Sequence, residues 1–207
     1  MKIKQLGNGG GFDFDKTNSS FLIKSGETTI LFDCGFNIMD RLKSDETIDI
    51  ENIDNVYISH MDEDHVGNLK MFIYWRYFNY KKGCNSEYAE MFNIYASSTQ
   101  TKHKITDDIS ILLTNCNHGK VTTFGAIFYS FNKSIFISAD TKASKYIEEV
   151  SKDCDLIFHD YSNWDFVTRN VHTCRTDFEL EYSEEYKNKV VKYHTGLDNF
   201  KKDWYEL

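Results

Sequence analysis

The chain has 207 residues, enough for one domain with a sizeable core and short for two. Apolar residues make up 41% and charged residues 27%, and no run approaches the roughly 18 consecutive apolar residues of a membrane-spanning helix. Lys+Arg 24 against Asp+Glu 32 leaves a net charge of −8 with no basic stripe, the densest basic pairs being Lys81-Lys82 and Lys201-Lys202, so stable binding of long nucleic acid is not expected.

The opening residues carry two lysines but no apolar run, so no secretory signal is expected and the expected compartment is the cytoplasm. Cys34, Cys84, Cys116, Cys154 and Cys174 are odd in number and form no CxxC pair, which argues against both a disulfide framework and a thiolate zinc site. Proline is absent, and with the many Asn, Lys, Ile and Tyr residues this suits an AT-rich bacterial or viral coding genome.

Gly7-Asn8-Gly9-Gly10-Gly11 reads as a loop. Phe21-Leu22-Ile23 and Thr29-Ile30-Leu31-Phe32 flank Ser25-Gly26-Glu27, a hairpin pattern, and the second strand runs into Asp33-Cys34-Gly35. Val56-Tyr57-Ile58-Ser59 is a short β-prone run that delivers His60. A helix is expected over Gly67 to Tyr80, then strands at Phe92 to Ala96, Ile109 to Leu113, Val121 to Tyr129 and Ser134 to Ser138. Helix Lys142 to Val150 precedes strand Leu156-Ile157-Phe158, and helix Phe178 to Tyr186 precedes strand Val190 to Tyr193. No repeat or linker interrupts residues 1–207, so one layered α/β domain with mixed sheets is expected.

The chemistry concentrates in His60-Met61-Asp62-Glu63-Asp64-His65, four potential metal ligands within six residues directly after a strand. Such a loop can aim two side chains at one metal and two at a neighbour, and a metal pair can stabilise both attacking and leaving oxygens of a displacement. A solvated acidic turn with incidental histidines is the plain alternative. Further candidates weigh against it: His118 lies beyond one strand, Asp140 closes Ile135 to Ala139, and His194 closes Val190 to Tyr193.

These residues resemble the metallo-β-lactamase superfamily from about Leu6 to His194. The nearest branch is ribonuclease Z with related cyclic-nucleotide phosphodiesterases, including phage anti-Pycsar enzymes. The glycine-rich start, Asp33-Cys34-Gly35, Phe124-Gly125, Ser138-Ala139-Asp140-Thr141, Asp155 to Asp160 and Val171-His172-Thr173 carry that likeness. The resemblance implies an αββα sandwich with two mixed β-sheets. It implies His60, Asp62 and His118 on one divalent metal, Asp64, His65 and His194 on another, and Asp140 bridging them, with zinc ahead of manganese. Asp33 would orient a ligand histidine. His172 would be the general acid for the leaving group, paired with Asp160, and Asp64 counts with these two as catalytic. Asp62 stands where the usual HxHxDH motif has histidine, a variant similar to DNA-uptake competence proteins that makes the site harder.

The implied function is a dinuclear metal-dependent phosphodiesterase for a small cyclic or short nucleotide, and, for a phage protein, evasion of cyclic-nucleotide immune signalling in the host cytoplasm. Only 21 residues separate His118 from Asp140, leaving no room for the arm with which ribonuclease Z grips transfer RNA. A ribonuclease Z-like or competence-type nuclease, a hydrolase of esters, thioesters or lactones, and a non-enzymatic nucleotide-sequestering protein are the alternatives. Tyr161, Trp164 and Phe166, in an expected cleft loop, could stack on a base or pack the loop. The aromatics of Phe72 to Tyr80 surround their helix instead of forming one stripe, which points to a homodimer contact. His103 is expected at the surface, and His159, alternating with Asp160, should face away from the His172 pair.

Overall fold

The computed structural model describes residues 1–80, 102–163, 171–197 and 200–207. The expected strand at Phe92 to Ala96, Cys84, Trp164 and Phe166 lie outside them. The first sheet contains β1 (Lys2–Gly7), β2 (Ser20–Ser25), β3 (Thr28–Phe32), β4 (Asn55–Tyr57) and β11 (Tyr205–Glu206), in the order β11-β1-β2-β3-β4. The second contains β5 (Lys102–Lys104), β6 (Ser110–His118), β7 (Val121–Ser130), β8 (Lys133–Ile137), β9 (Leu156–Asp160) and β10 (Val190–Tyr193), in the order β10-β9-β8-β7-β6-β5. Both sheets are mixed: β4 runs parallel to β3, and β8, β9 and β10 run parallel to one another.

Side-chain alternation explains the layering. Phe21, Ile23, Ile30 and Phe32 of the first sheet face Ala126, Phe128, Ile135, Ile137 and Phe158 of the second, forming the central core. The intervening Leu22 and Leu31 turn to the opposite face, where they meet Ile38, Met39 and Leu42 of α1 (Ile38–Ser44) and Phe72 of α3 (Leu69–Tyr80). On the far face of the second sheet, Ile127, Phe136 and Ile157 meet Ile147 of α4 (Lys145–Ser151), Phe178 of α5 (Arg175–Glu181) and Tyr186 of α6 (Glu184–Lys189). The strands are apolar on both faces, hence their near-continuous apolar runs. The result is helix, sheet, sheet, helix, the expected αββα sandwich.

Local chemistry sets the turns. Ser25 pairs with Thr28, so the hairpin closes through Gly26 and Glu27, and Gly26 takes φ +55°, a conformation glycine adopts without steric cost. Ser144 caps α4 by accepting from the Ile147 amide. The helix expected over Phe178 to Tyr186 divides in two, because Tyr182 is extended and the Ser183 hydroxyl caps α6 by accepting from the Tyr186 amide. Strand β6 runs beyond Leu113 through the polar Thr114 to Asn117 and ends on His118 itself. Strand β1 was not anticipated, its Lys4 and Gln5 being polar. Both are buried, Lys4 on Asp45 at 2.7 Å and Gln5 donating to the Gly7 carbonyl and Asn8 Oδ1.

Among the described side chains of the aromatic helix Phe72 is buried, whereas Met71, Tyr74 and Phe78 are exposed. His103 is half-buried in β5 opposite Ile111, where the surface had been expected. No described helix is long and apolar enough to cross a membrane.

Candidate metal centre

The cluster forms where strand ends of both sheets converge. Motif 60–65 leaves β4 and enters α2 (Glu63–Val66), which carries Asp64 and His65. This loop is bound to the end of β3: the Cys34 amide donates to the His65 carbonyl at 2.7 Å, and a Cβ on Gly35 would fall 2.0 Å from the Asp64 carbonyl oxygen, so that contact admits only glycine. From the second sheet, His118 ends β6, Asp140 follows β8, Asp160 ends β9 and His194 follows β10. Asp33, Ala139 and His194 have φ near +60° (60°, 53° and 62°), so three strand ends bend sharply at the site. Left-handed backbone at a non-glycine residue costs on the order of 1 kcal/mol or more, which the surrounding structure must hold in place.

The buried Asp33 organises the first-sheet side. It accepts from the Ser59 amide at 2.7 Å, the Ser59 hydroxyl at 2.8 Å and His65 Nδ1 at 2.7 Å. With its proton given to Asp33, Ser59 Oγ accepts from His60 Nδ1 at 2.9 Å. On the other side His118 Nδ1 donates to the Val171 carbonyl at 2.8 Å. Each of these contacts places the proton on Nδ1, leaving the Nε2 lone pairs of His60, His65 and His118 aimed into the cluster. Ser59 and Val171 were missed in the sequence. A serine beside a ligand histidine was a readable signal, but a backbone carbonyl from a remote loop left none.

The candidate ligand atoms fall into groups. Those of His60, Asp62 and His118 lie within 4.8 Å of one another, as do those of Asp64, His65, Asp140 and His194. Asp140 faces both: Oδ2 is 3.8 Å from His60 Nε2 and 3.9 Å from His118 Nε2, while Oδ1 is 3.4 Å from His65 Nε2 and 3.8 Å from His194 Nε2. Asp62 Oδ2 lies 3.5 Å from His60 Nε2 and 3.3 Å from His118 Nε2, and Asp64 Oδ2 lies 3.4 Å from both His65 Nε2 and His194 Nε2. Two ligands at about 2.0–2.1 Å from one zinc ion stand roughly 3.3 Å apart at a tetrahedral angle, so these spacings fit metal ligation.

Satisfaction of polar groups points the same way. Among the described residues, His60 Nε2, His65 Nε2 and Asp140 Oδ1 are buried without a hydrogen-bond partner. Each such orphan costs about 1–3 kcal/mol unless something binds it. Burial would raise the Asp140 carboxyl, but the neighbouring His194 and His65 rings hold it well below the usual carboxylate range.

His172 stands beside the cluster, half-buried, its ring centroid 5.0 Å from that of His118 and 4.9 Å from that of His194. Its Nδ1 donates to Asp160 Oδ2 at 2.9 Å, and the Thr141 amide donates to the same oxygen at 2.9 Å. Burial works against the imidazolium, but the Asp160 charge overrides it and raises the His172 pKa. Asp160 Oδ1 also lies 3.5 Å from His194 Nδ1, so one fully buried carboxylate touches both imidazoles.

Two other residues sit away from the cluster. His159 faces the helical layer, bonded through Nε2 to the Tyr182 hydroxyl at 2.7 Å. Tyr161, a candidate for base stacking, is buried against Phe178 with Lys192 over its ring. Of the two readings of Tyr161, base stacking and packing, this is packing, because the alternation that turns His159 outward turns Tyr161 outward as well.

The family model described as anti-Pycsar protein Apyc1 matches residues 1–86 and 82–204. The anti-Pycsar protein Apyc1 of Paenibacillus sp. (strain J14) is 36% identical over 80 residues, 38% of this chain, and that match spans 31% of the relative's length. The metallo-β-lactamase fold protein YhfI of Bacillus subtilis superposes with a TM-score of 0.75 at 18% identity, covering 94% of this chain and 86% of that one. The short form of human tRNase Z superposes with a TM-score of 0.68 at 15% identity, covering 94% and 93%. At these identities the structural likeness establishes the metallo-β-lactamase fold.

Proposed function

The chain belongs to the anti-Pycsar protein Apyc1 family, and we propose that it is a phosphodiesterase dependent on two divalent metal ions, zinc ahead of manganese, acting on a small cyclic or short nucleotide. The observation that carries this reading is the His172–Asp160 pair set against the cluster, with His172 Nδ1 3.7 Å from Asp140 Oδ2. A departing ribose oxygen is a poor leaving group and needs a proton in the transition state, the service a positioned acid provides.

His60, Asp62 and His118 would hold one metal, Asp64, His65 and His194 the other, with Asp140 facing both. The bound metals would supply an activated water and positive charge against the phosphoryl oxygens. The rest falls to the chain itself. Asp160 accepts the Nδ1 proton of His172, orients the ring and stabilises its charged form. Nε2, across the ring from that bond, carries the proton handed to the departing oxygen. Asp33 and Ser59 keep His60 and His65 from rotating.

Substrate size follows from charge and topology. The net charge is −8, and residues 119–139 are taken up by β7, β8 and their turns, leaving no arm for a long polyanion. The accompanying biological proposal is removal of a cyclic-nucleotide signal in phage evasion of host defence, within the host cytoplasm. We further propose a homodimer joined through α3, supported by the exposure of Met71 and Phe78.

The test is turnover by metal-loaded protein of cyclic mono-, di- and trinucleotides, read by chromatography beside precursor transfer RNA and single-stranded DNA. Cyclic or short substrates should show far higher kcat/KM at physiological salt. Equal efficiency on the polymers would make the protein a nuclease, and tight nucleotide binding without product would make it a sequestering protein.

A further inference from the structure

The rim of the cluster carries apolar side chains that hydrolysis does not require. The turn after β1 packs directly on the ligands: a Cβ on Gly11 would lie 3.3 Å from Asp64 Oδ1, and one on Gly10 3.3 Å from the His194 ring. Hydrogen bonds hold this turn. The Gly10 amide donates to Asp13 Oδ2 at 2.9 Å, the Lys16 amide to the Asp13 carbonyl at 2.9 Å, Asn18 Nδ2 to the Gly10 carbonyl at 3.2 Å, and Lys16 Nζ to the Gly196 carbonyl. Its backbone is anchored, yet Phe12 is 92% and Phe14 83% exposed. Their rings stand edge to face, centroids 6.4 Å apart at 82°. Met61, between ligands His60 and Asp62, adds a third exposed apolar group at 74%.

A phenylalanine left in water forgoes the stabilisation its burial would bring. Two on one anchored turn, at the lip of a polar cluster, mark a surface kept apolar for a ligand. We propose that Phe12 and Phe14 form the platform on which the nucleobase stacks while its phosphodiester lies on the cluster. This rests on the phosphodiesterase reading and adds where the nucleoside is held. Phe12 follows Gly11 by one Cα step of about 3.8 Å, so it is the next residue along the chain from the one that packs on Asp64. Every base offers a flat π-face that stacks on an aromatic side chain.

The test compares metal-loaded wild type with the F12A/F14A double variant on two substrates. One is a nucleoside 3′,5′-cyclic monophosphate, the other the corresponding ribose cyclic phosphate without a base. The wild-type preference for the base-bearing substrate, as a ratio of kcat/KM, should fall about tenfold or more in the variant, mainly through KM. Phe12→Tyr should retain it. Equal losses on both substrates, or no loss, would overturn the platform. Calorimetric titration with a nucleoside 5′-monophosphate, against inorganic phosphate, decides the same point without turnover: affinity should fall for the nucleotide alone, and unchanged affinity would overturn the platform. Failure of the wild type to cleave either cyclic phosphate would sink the phosphodiesterase reading, leaving calorimetry to judge the platform. A shift in sedimentation with base preference intact would make these phenylalanines a contact between copies, and would also overturn it.

Discussion

His60, Asp62, Asp64 and His65 lie within six residues of chain, and the two histidines are steadied by one buried carboxylate, Asp33, with the Ser59 hydroxyl beside it. His118, Asp140, Asp160 and His194 come instead from four different strands of the second sheet and are brought together by its pairing register. The first half is thus a local device whose aim depends on a few hydrogen bonds. The second is a product of the whole sheet, where a one-residue slip would turn each of these side chains to the opposite face. Substitutions within the Asp33 network should weaken metal binding by degrees, whereas in the second half only the ligands and the acid pair themselves should matter.

The largest effect should come from the residue that joins the halves. Asp140→Ala should lose metal from both and nearly all turnover, by more than the roughly 10²-fold that loss of a supporting group costs, while circular dichroism shows a folded protein. Metal analysis by mass spectrometry checks it, and two tightly held ions with full activity would break the division of the cluster.

His172→Ala tests whether the second half holds a proton donor as well as ligands. A nucleotide substrate should slow by about 10²-fold or more, whereas bis-nitrophenyl phosphate, whose leaving group departs without a proton, should barely change. Metal content should stay at the wild-type level. Equal slowing of both substrates, or a lost metal, would make His172 a ligand or a support.

Asp33→Asn addresses the local half alone. The amide keeps the shape but replaces an ionised acceptor facing Ser59 and His65 with a neutral group bearing a donor nitrogen. Metal affinity should drop about 10–100-fold in competition with a chelator, and the His172-dependent leaving-group selectivity should persist in metal-saturated enzyme. Unchanged affinity would show that packing alone aims the motif.

The smallest effect on chemistry belongs to a group outside both halves. Asp45 binds Lys4 at 2.7 Å and Arg41 at 3.0 Å. Despite the opposing effect of burial, the hydrogen bond from Lys4 leads in lowering its pKa from 3.8 to about 2. The stabilisation is present in full above the unfolded value near pH 4 and fades as pH falls toward 2. Asp45→Asn should therefore cost roughly 1–3 kcal/mol at neutral pH in urea unfolding, with the difference from wild type vanishing in acid and turnover per folded molecule unchanged.

Where ligand chemistry is contiguous in the chain, it could be read directly. Four donors in six residues after a β-prone run, and lone Asp140 and His194 after apolar strands, announce themselves by residue type and position. Strand alternation also foretold that His159 would face away from Asp160. Tyr161 was left between base stacking and packing because its neighbours read as a loop, and the parity it shares with His159 sends it into the helical layer. Strand β1 escaped notice because Lys4 and Gln5 look like solvent-facing residues until Asp45 and Asn8 are folded against them. Ser59 on His60, Val171 on His118 and Thr141 on Asp160 were left to the tertiary structure. A hydrogen bond depends on a partner's position and direction, and register, sheet packing and backbone bends supply those only once the chain has closed on itself.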